Sequence, residues 1–166
     1  LDVSEASGVA QLFKDIRRDL PPLRGVVHAA VQLEDGILIR AERESFERVM
    51  APKVSGAWNL HCEMLDEPLD FFIMFSAVAG LLGNPGQGNY AAANSFLDAL
   101  AYYRRSRGLP AQTISWGPWA EIGGAALLGL EERFAATGMA CIAPAQGLKA
   151  FEDLLWSGAP AHSTVM

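Results

Sequence analysis

A tyrosine and an asparagine four residues apart, Tyr90 and Asn94, follow the glycine-rich run Gly83-Asn-Pro-Gly-Gln-Gly-Asn-Tyr90. Residues i and i+4 of a helix share one face, so the spacing puts a phenol and an amide side by side at the mouth of a helix. A phenol placed there can give a proton to a substrate oxygen if a neighbour lowers its pKa from ~10. The stretch Gly86-Gln-Gly88-Asn-Tyr-Ala91 also fits the dinucleotide-binding pattern of spaced glycines. Two features argue against that reading. The stretch lies well past the preceding apolar run, and the acidic residue expected ~20 positions on is absent, Ser106 standing there. The glycines read better as a loop that lets a substrate approach Tyr90.

The elements that must position these residues alternate in type. Val9, Leu12, Phe13 and Ile16 recur with helical period, predicting a helix from about Glu5 to Asp19, with Ser4 as its cap after a strand end at Leu1-Asp-Val. The apolar runs Arg24–Ala30, Leu69–Ser76 and Gln112–Trp116 read as strands, and Ser163–Met166 as a last one. Helices are expected over about Ser45–Leu65 (kinked or broken at Pro52), Gln87–Arg107, Leu130–Thr137 and Pro144–Leu155. Gly108 should cap the third helix. Alternation of apolar strands and helices implies an α/β fold with a parallel sheet covered on both faces. Ligands of such sheets bind beyond the carboxyl ends of the strands. Ala29-Ala30, Ser76 and Gly117-Pro118 all fall there and should converge on one crevice with Tyr90.

Composition bounds the alternatives. The 166 residues suit a single domain, and 51% hydrophobic content supplies a sizeable core. A net charge of −6 and the lack of a basic stripe give no support to nucleic-acid binding. Arg104, Arg105 and Arg107 read as cations suited to a helix C-terminus. No run approaches ~20 apolar residues and no charged, apolar leader pattern is seen at the start, so neither a membrane partner nor a signal peptide is expected. Cys62 and Cys141 lack metal-ligand spacing, and no metal is expected; both read as small core residues of a protein in a reducing, cytoplasmic setting.

Five segments together resemble the ketoreductase domain of modular type I polyketide synthases, in the short-chain dehydrogenase/reductase superfamily. They are Gly25-Val-Val-His-Ala-Ala30, Met50-Ala-Pro-Lys53-Val-Ser-Gly-Ala-Trp58-Asn-Leu60, Asp70-Phe-Phe-Ile-Met-Phe-Ser76, Gly86-Gln-Gly-Asn-Tyr90-Ala-Ala-Ala-Asn94 and Trp116-Gly-Pro-Trp119. Most reductases of the superfamily carry Tyr-x-x-x-Lys; the polyketide branch has its lysine on the preceding helix and Asn after the Tyr, as Lys53 and Tyr90-x-x-x-Asn94 do here. The resemblance implies a Rossmann-like three-layer fold. It also implies NADPH as hydride donor and a β-keto thioester on an acyl carrier protein as substrate. Tyr90 would protonate the substrate oxygen. Lys53 would hold the nicotinamide ribose and favour tyrosinate, and Asn94 would support the lysine or an ordered water in a proton relay. Asp2 and Val3 match a motif that meets the adenine. His28, Ala29 and Ala30 would lie along the cofactor, although His28 reads equally as a core histidine. Gly117, Pro118 and Trp119 would border the nicotinamide amide, with Trp58 and Trp119 also read as packing residues.

The sequence departs from the family at two positions. The family serine thirteen residues before the tyrosine is Ala77 here, with only Ser76 beside it, and Val31 stands where the family has glycine. Neighbouring strand residues point to opposite faces, so Ser76 could replace the lost hydroxyl only through a bulge or register shift. Leu33-Glu34-Asp35 resembles the Leu-Asp-Asp signature of B-type ketoreductases, against the rival reading of a solvated acidic loop. Leu82 occupies the place of the tryptophan that marks A-type, and Gln87 joins the candidate substrate contacts. The family's glycine-rich phosphate turn would precede Leu1. The chain therefore reads as the C-terminal portion of the domain, expected to bind NADPH poorly alone and to work within a longer synthase alongside its other domains. A degenerate domain kept as scaffolding is the alternative that Ala77 and Val31 favour.

Overall fold

A computed structural model describes residues 1–123, 129, 131–136, 138–156 and 158–166. In chain order they form α1 (Ala6–Asp19), β1 (Gly25–His28), a 3-10 turn (Leu38–Arg40), α2 (Arg43–Lys53), α3 (Ser55–Glu63), β2 (Phe71–Ala77) and α4 (Ala79–Leu82). Then come α5 (Gly88–Ser106), β3 (Gln112–Trp116), α6 (Glu131–Ala136), α7 (Pro144–Trp156) and β4 (His162–Val165). The strands make one sheet in the order β1-β2-β3-β4, parallel throughout. The expected α/β fold is therefore present. Leu130 and Thr137, the expected ends of α6, lie outside the described residues.

Strand alternation builds two cores. Phe72 and Met74 point to one side, where Val9 and Phe13 of α1, Ala57 and Leu60 of α3, and Leu97, Leu100 and Ala101 of α5 close over them. Phe71, Ile73 and Phe75 point to the other, against Phe151, Leu154 and Leu155 of α7. On that side a Cβ added at Gly147 would meet the Trp119 ring at 2.3 Å, so only glycine lets α7 lie this close.

Four local expectations are corrected. The single helix over Ser45–Leu65 is two helices: Pro52 sits in the last turn of α2 and the axis breaks at Val54 (φ −86°, ψ −65°). Proline removes a donor and its ring crowds the preceding turn. The break leaves Lys53 as the last residue of α2. Leu1-Asp-Val is a turn rather than a strand end, and Ser4 does not cap α1. Ser4 spends its backbone N–H (2.9 Å) and hydroxyl (2.8 Å) on the Asp2 carboxylate, an Asx-type turn. Cys62 is exposed, because α3 turns Ala57, Leu60 and His61 inward and Cys62 outward. Arg104 does lie in the last turn of α5, but not on the surface. It is fully buried, its guanidinium 4.0 Å from the Phe72 ring centroid, with Nε donating to the Pro110 carbonyl (3.1 Å) and one terminal nitrogen 2.9 Å from His61 Nδ1. Burial lowers its pKa to about 10. Gly108 does end α5, in the left-handed region (φ +73°).

Candidate functional site

The carboxyl ends of β1, β2 and β3 open onto a cavity of about 390 Å³, a size suited to a small-molecule site. Its wall brings together Ala29, Lys53, Ser76, Gln87, Tyr90, Gly117, Pro118 and Trp119 from five separate segments of the chain. Val31 and Ala77 line it as well. Asn94, predicted as catalytic, lies outside this wall, as do Asp2, Val3, His28, Ala30, Asp35 and Leu82.

Lys53 reaches the cavity from the end of α2 and is 3% exposed. Its Nζ donates to the Phe75 carbonyl of β2 (2.7 Å) and stands 5.7 Å from the centroid of the Tyr90 ring. An ammonium has three N–H donors; among the described residues Phe75 takes one. Burial lowers the Lys53 pKa to about 8, with the Asp98 charge acting in the opposite direction. Burial likewise pushes the Tyr90 phenol up; the Asn94 side chain pulls it down and the Asp35 charge adds to the rise. At neutral pH the site thus holds a protonated phenol beside an ammonium.

Asn94 is fully buried one turn along α5. Its Nδ2 donates to the Tyr90 carbonyl (2.7 Å), and among the described residues its Oδ1 has no hydrogen-bond partner. The Asn94 amide therefore braces the backbone of Tyr90 and leaves one acceptor free. Ser76 donates to the Asn94 carbonyl at 3.4 Å. Strand pairing runs unbroken through Ser76↔Ser115 and Ala77↔Trp116, so no bulge or register shift carries Ser76 into Ala77's place.

His28 is 3% exposed, with Nε2 unpartnered among the described residues. Burial first, then the Lys53 charge, hold its pKa down to about 4, against a hydrogen bond with the Pro52 backbone. It is a neutral core imidazole beside Lys53. Val3 packs on Gly56, where an added Cβ would come within 2.7 Å of Val3 Cγ2, and its carbonyl accepts from Asn59 Nδ2 (3.1 Å). Asp2 is turned to Ser4 as described above.

The Leu33–Gly36 loop is fastened to the turn before Tyr90, which sequence reading missed. Gln87 Nε2 donates to both Asp35 carboxylate oxygens (3.0 and 3.1 Å), Gly36 N–H to the Gly86 carbonyl (2.8 Å), and Asn89 Nδ2 to the Glu34 carbonyl (3.0 Å). Glu34 is further held by Arg48 through two bonds (2.9 and 2.8 Å). These bonds tether the acidic loop to the cavity rim, with Leu33 and Glu34 half-buried and Asp35 exposed. Leu82 is 65% exposed. Among the described residues no cluster of ligating side chains could hold a metal ion, and no helix is long and apolar enough to cross a membrane.

Comparison with known proteins gives the geometry a lineage. Residues 1–121 match the family model of the KR domain. A stretch of 134 residues is 50% identical to the mycocerosic acid synthase-like polyketide synthase of Mycobacterium tuberculosis, covering 81% of this chain and 6% of that protein. The corresponding synthase of Mycolicibacterium smegmatis is 44% identical over 159 residues, covering 93% of this chain and 7% of its own length. Among solved structures, an A1-type ketoreductase superposes with a TM-score of 0.92 at 31% identity, over 99% of this chain and 34% of that one. A ketoreductase domain from the bacillaene assembly line gives 0.87 at 38% identity, over 97% and 40%. The chain thus spans less than a tenth of these two curated relatives and a third or more of these solved domains. With the match to the KR model covering most of its length, the chain belongs to the family of ketoreductase domains of modular polyketide synthases, in the short-chain dehydrogenase/reductase superfamily.

Proposed function

We propose that this segment is the proton-donating half of an NADPH-dependent ketoreductase, working within a longer synthase subunit on β-keto thioesters carried by an acyl carrier protein. The observation that carries the reading is the meeting of Lys53 and Tyr90 on one cavity wall at the strand ends, 5.7 Å from ammonium to ring centroid. The residues fit a nicotinamide ribose: Lys53 has donors to spare beyond Phe75, and Ala29 and Gly117 leave the wall low beside it.

NADPH, when bound, supplies hydride to the carbonyl carbon. Tyr90 gives its phenolic proton to the carbonyl oxygen, so that ketone plus hydride plus proton becomes the secondary alcohol. Lys53 holds the ribose hydroxyls and stabilises the phenolate that remains. Asn94 fixes the first turn of α5 through the Tyr90 carbonyl and offers its free Oδ1 to a water that returns the proton. Pro118 and Trp119 close the nicotinamide side. Asp2 and Val3 serve the adenine end, and His28 stiffens the floor under Lys53. Asp35, held by Gln87 at the rim, guides the substrate in the B-type sense, giving the D-configured hydroxyl. NADPH oxidation by the intact domain with a simple β-keto thioester tests the reading; no turnover above a Tyr90→Phe control would remove it.

A second reading is favoured by one specific feature. Ala77 lines the cavity where a family serine would donate to the carbonyl, and Ser76 is committed to Asn94. On that reading the domain is weakly active or inactive and is retained as part of the synthase's architecture.

A further inference from the structure

The cavity has two unlike sides, divided by β2 at its floor. After β1 the chain contributes Val31 and Leu33, backed by a polar network. Gln87 Nε2 donates to the Asp35 carboxylate, and Asn84 Nδ2 donates to Gln87 Oε1 (2.8 Å). After β3 the chain contributes Trp119, Ile122, Phe134 and Met139. Among the described residues, Lys53 is the one charged side chain on the whole wall.

The β3 side is a built surface. Ile142 N–H donates to the Pro118 carbonyl (2.7 Å) and Ala120 N–H to the Ile142 carbonyl (2.9 Å), which fastens the chain around Trp119. Met139 N–H donates to the Phe134 carbonyl (3.1 Å), which folds Met139 back onto the end of α6. Trp119, Phe134 and Met139 are half-buried, while Ile122 is 50% exposed and continues the apolar surface into solvent. Exposed apolar surface that runs on from a pocket marks a ligand-binding groove. A hydroxyl carried against Phe134 and Met139 would give up water for carbon and a thioether, which is only a weak acceptor. Such a loss is costly. The mechanism proposed above places the reacting carbonyl at Tyr90 and assigns no surface to the rest of the acyl chain.

We propose that Trp119, Ile122, Phe134 and Met139 form a hydrocarbon subsite, through which the domain selects thioesters with an unfunctionalised aliphatic tail over those with hydroxyl groups on the tail. The proposal rests on the ketoreductase reading for the position of the thioester and deepens it by naming the tail. Its readout is binding, so it can be judged apart from turnover.

The test uses the intact domain and calorimetric titration with pantetheine thioesters that lack the keto group: butanoyl, hexanoyl, octanoyl, and octanoyl with a hydroxyl near its end. Affinity is expected to rise about three- to fourfold per added methylene, and the hydroxylated tail to bind on the order of tenfold more weakly than octanoyl. Phe134→Ser is expected to flatten the dependence on tail length; Ile122→Ser, at an exposed position, serves should the first variant fail to fold. Val31→Ser, across β2, is expected to keep the slope. An affinity independent of tail length, or a slope that both β3-side variants leave unchanged, overturns the proposal. Reduction of the matching β-keto thioesters by NADPH is measured alongside. Absent reduction with the slope intact sinks the ketoreductase reading and leaves the subsite, whereas reduction with a flat slope does the reverse.

Discussion

The Lys53 ammonium stands 5.7 Å from the centroid of the Tyr90 ring, although 37 positions separate the two residues in the sequence. The break after Pro52 makes Lys53 the terminal residue of α2, and the glycine turn makes Tyr90 part of the first turn of α5. Two helix ends thus deliver the two groups to the same strand ends, where the Phe75 carbonyl holds the lysine in place.

In the mechanism proposed above, Ala77 should limit the rate. On the reading that a family serine stands at this position, Ala77 lines the cavity without that hydroxyl, while the Ser76 hydroxyl faces the Asn94 carbonyl at 3.4 Å. Restoring one donor toward a developing oxyanion is worth about 10²–10³ in rate. Ala77→Ser in the intact domain is expected to raise kcat for β-keto thioester reduction by a factor in that range. An unchanged kcat would show that the alanine is not what limits turnover.

The B-type reading proposed above makes a stereochemical prediction. Asp35 is held by Gln87, and on that reading Leu82 stands where an A-type domain would carry its tryptophan. Chiral analysis of a reduced diketide is expected to give the D-hydroxy product, and an L-hydroxy product would refute the B-type assignment. Gln87→Ala is expected to erode the preference by releasing the loop.

Much of this arrangement was legible in the sequence, for definite reasons. The parallel sheet could be read because its strands are apolar on both faces, and the Tyr90–Asn94 pair because helical spacing is local. The partnership of Lys53 with Tyr90 was available only through family resemblance, since no local pattern links a proline-broken helix to a distant glycine turn. Three things were not legible. The Phe75 carbonyl that receives Lys53 is backbone, and any residue type would carry it. The clamp of Gln87, Asn89 and Gly86 on the Leu33–Gly36 loop depends on how two loops meet. The burial of Arg104 against Phe72 runs against the usual exposure of arginine.

Lys53 also sets a pH dependence of stability. Its pKa falls from 10.5 to about 8 on folding, mainly through burial. Between those values the unfolded chain binds more protons than the folded one, so stability rises with pH through the window. The slope reaches about 1.4 kcal/mol per unit, for a total of ~3 kcal/mol. Denaturant unfolding of the intact domain at pH 8 to 10.5 should show wild type gaining on Lys53→Met. A flat difference would mean that the lysine is solvated.

His28 gives the matching effect in acid. Burial and the Lys53 charge depress its pKa from 6.5 to about 4. Its stabilising contribution is complete above about pH 6.5 and declines as the pH falls to 4, because there the unfolded chain takes up the proton first. The loss amounts to ~3 kcal/mol. Wild type is expected to lose stability relative to His28→Asn across that window, and parallel unfolding curves would contradict the buried neutral ring.

The central claim is that the Tyr90 phenol delivers the proton. Tyr90→Phe removes one oxygen and keeps the ring that faces Lys53. In the intact domain, single-turnover reduction of a β-keto thioester by NADPH is expected to slow about 10²–10⁴-fold, with NADPH affinity and thermal unfolding unchanged. Reduction at the wild-type rate would contradict the account.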